Sequence, residues 1–199
     1  MRERKKRATR VAIQRAALAL FLAKGYDETT TEEIARAADV SPSTLFNYFP
    51  TKEALVADDY DPLFINLLET RPLDEPMFTS IRKALEAGLA QVVAEDHEFL
   101  LTRARLAFKV PALRAAAALD RERSELLLRA ILTRRAGGAE GSFEIKVVSA
   151  LVVSAMTTAM EAWFDADGKS ELMELVGRAL EITEFGAASV TPAKPSLGQ

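Results

Sequence analysis

Residues 40–55, VSPSTLFNYFPTKEAL, place Ser43, Thr44, the carboxamide of Asn47 and three aromatic rings between two prolines, with Ser41 just before the first and Lys52 just beyond the second. At about 100° per residue, Leu45 and Phe49 share one helical face, and Ser43, Thr44 and Asn47 fall on the opposite one, with Phe46 and Tyr48 on the flanks. Two residues anchor such a helix and the rest look outward. Their chemistry is hydrogen bonding and contact with rings or methyl groups. Hydroxyls bond phosphates or bases, and an asparagine can bond bidentately to adenine. The segment reads as a nucleic-acid surface in which Asn47 reads a base and Tyr48 and Lys52 hold phosphates.

Other chemistries have little to work with. The chain has no cysteine and one histidine, which excludes a disulfide framework and a His/Cys metal site, so no metal or cofactor is expected. His97 has no second histidine beside it, the pairs Glu32/Glu33 and Asp58/Asp59 read as solvated or capping acids, and GGAEGS lacks the lysine of a phosphate-binding loop. No catalytic residue is expected, and the chain is read as a non-enzyme. Residues 1–52 carry ten Lys/Arg against six Asp/Glu, a net of +4 that leaves −7 for the remainder of a chain of net charge −3. A basic end on an acidic body suggests local contact with a polyanion, to which Arg or Lys from residues 2–10 can add backbone or minor-groove contacts. The basic start MRERKKRATR leads into an amphipathic segment with no signal-peptide core, so a cytoplasmic protein is expected.

Positioning the outward helix requires neighbours, and the sequence supplies them. Ile13, Ala17, Leu20, Phe21 and Lys24 keep helical spacing in a first helix that Gly25 ends, and Tyr26 can fold back on it. Thr30 and Glu33 have the spacing of a capping box, predicting a second helix over about 31–38 that buries Ile34, Ala35 and Ala38. Asp39 stands where the turn favours a left-handed backbone. Ser41 caps the third helix, Pro42 starts it and Pro50 stops it. Thr51 can cap a helix over about 51–70, with a kink or break near Asp61–Pro62. Further helices are expected at about 77–95, 97–109, 111–135, 142–165 and 169–185, and residues 187–199 read as a disordered tail. The fold class is therefore all-α, with about nine helices, divided at 1–50, 51–70 and 71–186.

Three short helices with a tight turn between the second and third form a helix-turn-helix. Over residues 10–56, FLAKGYDETTTEEIARAADVSPSTLFNYFPTKEAL and the helix before it resemble the TetR family of one-component transcriptional regulators, whose pattern is helix–GY–TTxxxIAxxAGVSxGTLYxYFxxKExL. The resemblance implies a homodimer with two N-terminal DNA-binding domains on a helical regulatory and dimerisation domain, and operator contacts from Thr31, Pro42, Ser43, Thr44, Phe46, Asn47, Tyr48 and Lys52. Two positions depart from it. The family commonly has tyrosine where Phe46 stands, so a phosphate-bonding hydroxyl is replaced by an apolar contact, for example to a thymine methyl; Asp39 replaces glycine, adding strain and an acidic group near DNA.

The C-terminal half carries LLTRARLAFKVPALRAAAALDRERSELL, similar to the branch of that family associated with acyl-CoA-type ligands and mycofactocin clusters. Arg103, Arg105, Lys109 and Arg114 could meet an anionic head group, while Phe108, Met156, Met160 and Trp163 line an apolar cavity. The run IKVVSALVVSAMTTAMEAWF is apolar almost all round, yet Lys146, Glu161 and several hydroxyls favour a core helix over a membrane span, part of it packing on a second subunit. The expected function is that of a sequence-specific DNA-binding repressor, released from its operator by a small-molecule effector. The alternative is a helical small-molecule or protein-binding module that has lost specific DNA binding, recognisable by ligand binding without a footprint on DNA.

Overall fold

The computed structural model describes residues 2–57, 60–137 and 142–186, with the side chains of all of these except residues 2–4, 7 and 96. The expected tail at 187–199, the acids at 58–59 and the glycines at 138 and 141 lie outside the described residues. Within them every element is helical: α1 Arg2–Lys24, α2 Thr31–Ala37, α3 Pro42–Tyr48, α4 Asp61–Glu69, α5 Met77–Lys109, α6 Pro111–Arg135, α7 Phe143–Asp165 and α8 Leu172–Phe185, with one 3-10 turn at Glu53–Leu55. The all-α expectation of about nine helices is met.

Two of the expected elements differ. The helix expected over 51–70 is a 3-10 turn, a non-helical stretch and then α4, which begins at Asp61, where the Asp61–Pro62 pair was expected to interrupt the chain. Thr51 Oγ1 does accept from the Ala54 amide at 3.2 Å, but the turn it starts is not continued. The segments expected at 77–95 and 97–109 form one helix, since no glycine or proline stands at their junction.

The chain packs as two compact units. The first takes the residues up to Asp61 together with Val92–Arg123; the second takes Pro62–Gln91 and the described residues from Ser124 on. The expected division near residue 70 follows chain order, whereas α5 and α6 each contribute to both units.

The core of the first unit is built from Ile13, Ala17, Leu18 and Phe21 of α1, Ile34 and Ala35 of α2 and Leu45 of α3, closed by Phe49, Leu55, Leu106 and Leu113. Gly25, at φ +92°, turns the chain out of α1, and the Tyr26 ring returns to lie 5.0 Å from that of Phe21. Lys24 does not extend the apolar stripe; it is exposed and pairs with Glu33 on α2. In its place the stripe contains two polar residues, Arg10 and Gln14, whose partners are described below.

In the second unit α8 folds back on α7. Leu172, Val176 and Leu180, four residues apart, are buried, as are Ile145, Val152, Ala159 and Trp163 of α7. Asp167 at φ +55° ends α7: its amide bonds Phe164 O, and that of Gly168 bonds Trp163 O. By length and composition α7 could cross a membrane, but the apolar character read as all-round divides into two faces. One faces α8 and the core; the other, with Phe143, Val147 and Leu151 at four-residue spacing, is exposed. At the α4–α5 turn, Glu75 accepts from Arg71, Ser80 and Lys83, and Arg135 donates to Leu68 O, Arg71 O and Pro72 O, satisfying carbonyls at and beyond the end of α4.

Candidate nucleic-acid interface

The outward helix is held at both ends by local chemistry. Thr30 accepts from the Glu33 amide at 3.2 Å while the Glu33 carboxylate accepts from the Thr30 amide at 3.0 Å, a complete capping box at the start of α2. Lys24 and the Thr30 amide together hold the Glu33 carboxyl down at about 2, well below its ordinary range. At the other end of α2, the Val40 amide bonds Ala35 O and the Asp39 amide bonds Arg36 O, a Schellman closure with Asp39 at φ +53° in the position glycine usually takes. Ser41 then caps α3, its Oγ accepting from the Thr44 amide at 3.1 Å, and Pro42 occupies the first turn. Phe49 leaves the helix at φ −137°, ψ 96°, the extended geometry that Pro50 requires.

The side chains of α3 divide by direction as its spacing predicts. Leu45 and Phe49 are fully buried. Pro42, Ser43, Phe46 and Asn47 are exposed, Phe46 at 44%, while Thr44 and Tyr48 are half-buried. Tyr48 packs on the first core, and the Asn47 side chain makes no hydrogen bond among the described residues, which leaves its carboxamide open to a partner. Ser41 Oγ lies 2.9 Å from Ser43 Oγ and 2.8 Å from Thr44 Oγ1, so three hydroxyls form one cluster at the head of the helix. A phosphate or base meeting Ser43 or Thr44 therefore exchanges a hydroxyl–hydroxyl bond for its own. Thr31 is half-buried at the first position of α2, its hydroxyl 3.3 Å from Glu32. An open groove beside the turn is lined by Glu32, Arg36, Asp39, Ser41 and Pro42, so the approach to α3 carries acidic groups as well as Arg36.

Two of the expected cations already have structural partners. Lys52 Nζ donates to Tyr26 O and lies 4.3 Å from the centre of the Tyr26 ring, pinning the turn after α1. The Tyr26 hydroxyl donates to Glu53 at 2.8 Å; burial, and next that bond, push its ionisation far up. Arg10 donates to Tyr48 O at 3.2 Å and stacks 4.5 Å from the Phe49 ring centre, placing a positive charge at the C-terminal end of α3. Arg10 thus supports the reading helix from behind, whereas Lys5 and Lys6 are exposed. The sequence holds a signal for this role, because Arg10 and Gln14 fall three residues before and one residue after Ile13 on a buried face.

The residues expected to hold an effector fall in both units: Arg103, Arg105, Phe108, Lys109 and Arg114 in the first, the last two exposed, and Met156, Met160 and Trp163 in the second. Arg105, Phe108, Met156 and Met160 are half-buried, and Trp163 is fully buried. Arg103 is 8% exposed, and its Nε donates to Val56 O at 3.0 Å.

Comparison with known proteins agrees with this geometry. The family described as bacterial regulatory proteins, tetR family, matches residues 13–58, and the MftR C-terminal domain matches residues 75–188, more than half of the chain. TcmR, an HTH-type transcriptional regulator of Streptomyces glaucescens, is 35% identical over 145 residues, 69% of this chain, which spans 64% of the length of TcmR. MftR of Mycobacterium tuberculosis, named for regulation of mycofactocin biosynthesis, is 26% identical over 188 residues, 92% of this chain and 93% of MftR. Among solved structures, FadR of Thermus thermophilus, a repressor in complex with lauroyl-CoA, aligns with TM-score 0.56 and 27% identity over 96% of this chain and 100% of its own. FadR of Bacillus halodurans shares the fold, with TM-score 0.60 and 19% identity over 90% of this chain and 96% of its own. The chain belongs to the TetR family of bacterial regulatory proteins, with a C-terminal domain of the MftR type.

Proposed function

We propose that this protein is a cytoplasmic homodimeric repressor that binds an operator through α3 and is released by an acyl-CoA-like effector held in its C-terminal half. The observation that carries the DNA-binding part is the direction of the α3 side chains: Leu45 and Phe49 fixed in the core, Ser43, Phe46 and Asn47 outward. A helix held by a cap, a proline and two anchors has few ways to move, and rigid placement is what base readout demands. Phe46 offers the major groove an apolar ring, which suits a thymine methyl.

Dimerisation is supported by the exposed apolar face of α7, joined by Ile182 and Phe185 of α8, five large apolar residues that are each at least 38% exposed. An uncovered face of this kind marks an association surface. A two-fold dimer presents two α3 helices to half-sites about one DNA turn, ~34 Å, apart.

The effector class is inferred from Thermus FadR, whose structure holds lauroyl-CoA, and, within the first unit, from Arg105 and Phe108 as half-buried candidates of the right chemistry. A ligand releases DNA only by binding better to the conformation that the operator does not accept. The test is a selection from random duplex DNA with the full-length protein, followed by anisotropy titration and addition of lauroyl-CoA. Selection of a palindromic site and its release by lauroyl-CoA are expected. Operator binding that lauroyl-CoA leaves untouched would remove the acyl-CoA class, and binding of lauroyl-CoA with no sequence selected would favour the ligand-binding module.

A further inference from the structure

Between the helix-turn-helix and α4, three consecutive backbone carbonyls are held by side chains from distant parts of the first unit. Gln14 on α1, 6% exposed, donates from Nε2 to Ala57 O at 2.9 Å and reaches Leu55 O at 3.4 Å. Arg103 on α5 donates from Nε to Val56 O, which lies between them, and its guanidinium sits 5.3 Å from the Tyr60 ring centre. Leu55 and Val56 are themselves buried in the core that contains Leu106 of α5. The segment is a strap fastened to α1 from one side and to α5 from the other.

A buried guanidinium is a costly way to fill space, which an apolar side chain would fill as well or better. What it adds is geometric sensitivity. Apolar contacts slide with little change, whereas a hydrogen bond fails over a few tenths of an ångström and a modest angle. The next effector candidates on this stretch, Arg105 and Phe108, lie about 200° and 140° further round the helix, away from the strap. A ligand pressing on that side moves the helix that carries Arg103.

We infer that Arg103 is a positioning residue that couples α5 to the DNA-binding helices through the strap at 55–57, and that it is not an effector contact. The inference rests on the regulator reading above, and its test separates the two. Full-length Arg103→Met and Arg103→Lys variants, the latter keeping a cation and a shorter donor, are compared with the wild-type protein in amide hydrogen exchange. Their affinities are then measured for a selected operator and for a duplex carrying one half-site. In Arg103→Met the amides of Leu55 and Val56 exchange at least about tenfold faster while those of α2 and α3 keep their protection. Operator affinity falls about tenfold and half-site affinity stays within about twofold, with Arg103→Lys between the two, since one charged hydrogen bond is worth about that factor. Unchanged exchange at Leu55 and Val56 overturns the strap. A parallel fall for operator and half-site overturns the coupling, because that is the effect of a merely destabilised helix-turn-helix. If the wild-type protein selects no DNA sequence, the regulator reading fails, and the exchange measurement still decides whether Arg103 holds the strap.

Discussion

The Asn47 side chain makes no hydrogen bond among the described residues and stands exposed on α3, so replacing it tests readout with little effect on packing. Asn47→Ala is expected to relax base preference at one operator position and cost about 1–3 kcal/mol there, seen by titrating operators mutated base by base. Lys52 behaves differently because it is bonded to Tyr26 O and stacked on the Tyr26 ring. Lys52→Ala should lower unfolding stability by about 1–2 kcal/mol, measured by urea denaturation. If its ammonium also reaches phosphate, the same variant weakens all DNA sequences alike and reduces the salt slope by about one. Asp39 combines a left-handed backbone with a carboxylate on the groove beside α3. Asp39→Asn keeps the tolerance for positive φ and removes the charge, so DNA affinity should rise, most at low salt.

At the scale of elements, the local signals carried far and the distant ones did not. Thr30 with Glu33, Ser41 before Pro42, and Pro50 behind Phe49 each act within four residues, and each appears in the structure as spacing alone predicts. The stretch after Pro50 reads as helix, because Thr51 can cap it and apolar residues follow. Its carbonyls are instead held by Gln14 and Arg103, 43 residues before Ala57 and 47 after Val56, and no local pattern encodes such pairing. For the same reason the sequence does not show that Arg103, which resembles an anion ligand there, is buried and donates to the distant Val56 carbonyl.

The capping box also gives a pH dependence. Glu33 is held at about 2 against an ordinary 4.5, so its stabilisation is fully present above the unfolded value and is lost as pH falls from about 4.5 through about 2. Protection of the α2 amides should decline over that window in the wild-type protein, and Glu33→Gln should remove this part of the decline. Glu75, lowered first by Arg71 and then by Lys83, contributes in the same direction at the α4–α5 turn.

For the whole molecule, the proposed dimer is what makes two α3 helices into an operator-binding protein. Leu151 is 48% exposed on the uncovered α7 face and makes no part of either described core cluster. Leu151→Glu is expected to yield a folded monomer by sedimentation, with an unchanged helical signal and loss of operator binding, since a charge buried across a two-fold axis meets its own copy. The central claim, that α3 reads a specific DNA sequence, is tested most directly by anisotropy of the wild-type protein on its selected operator against a scrambled duplex at about 0.15 M salt. The expected preference is about 10³ or greater, the range of specific over non-specific binding; equal affinity for the two duplexes would contradict it.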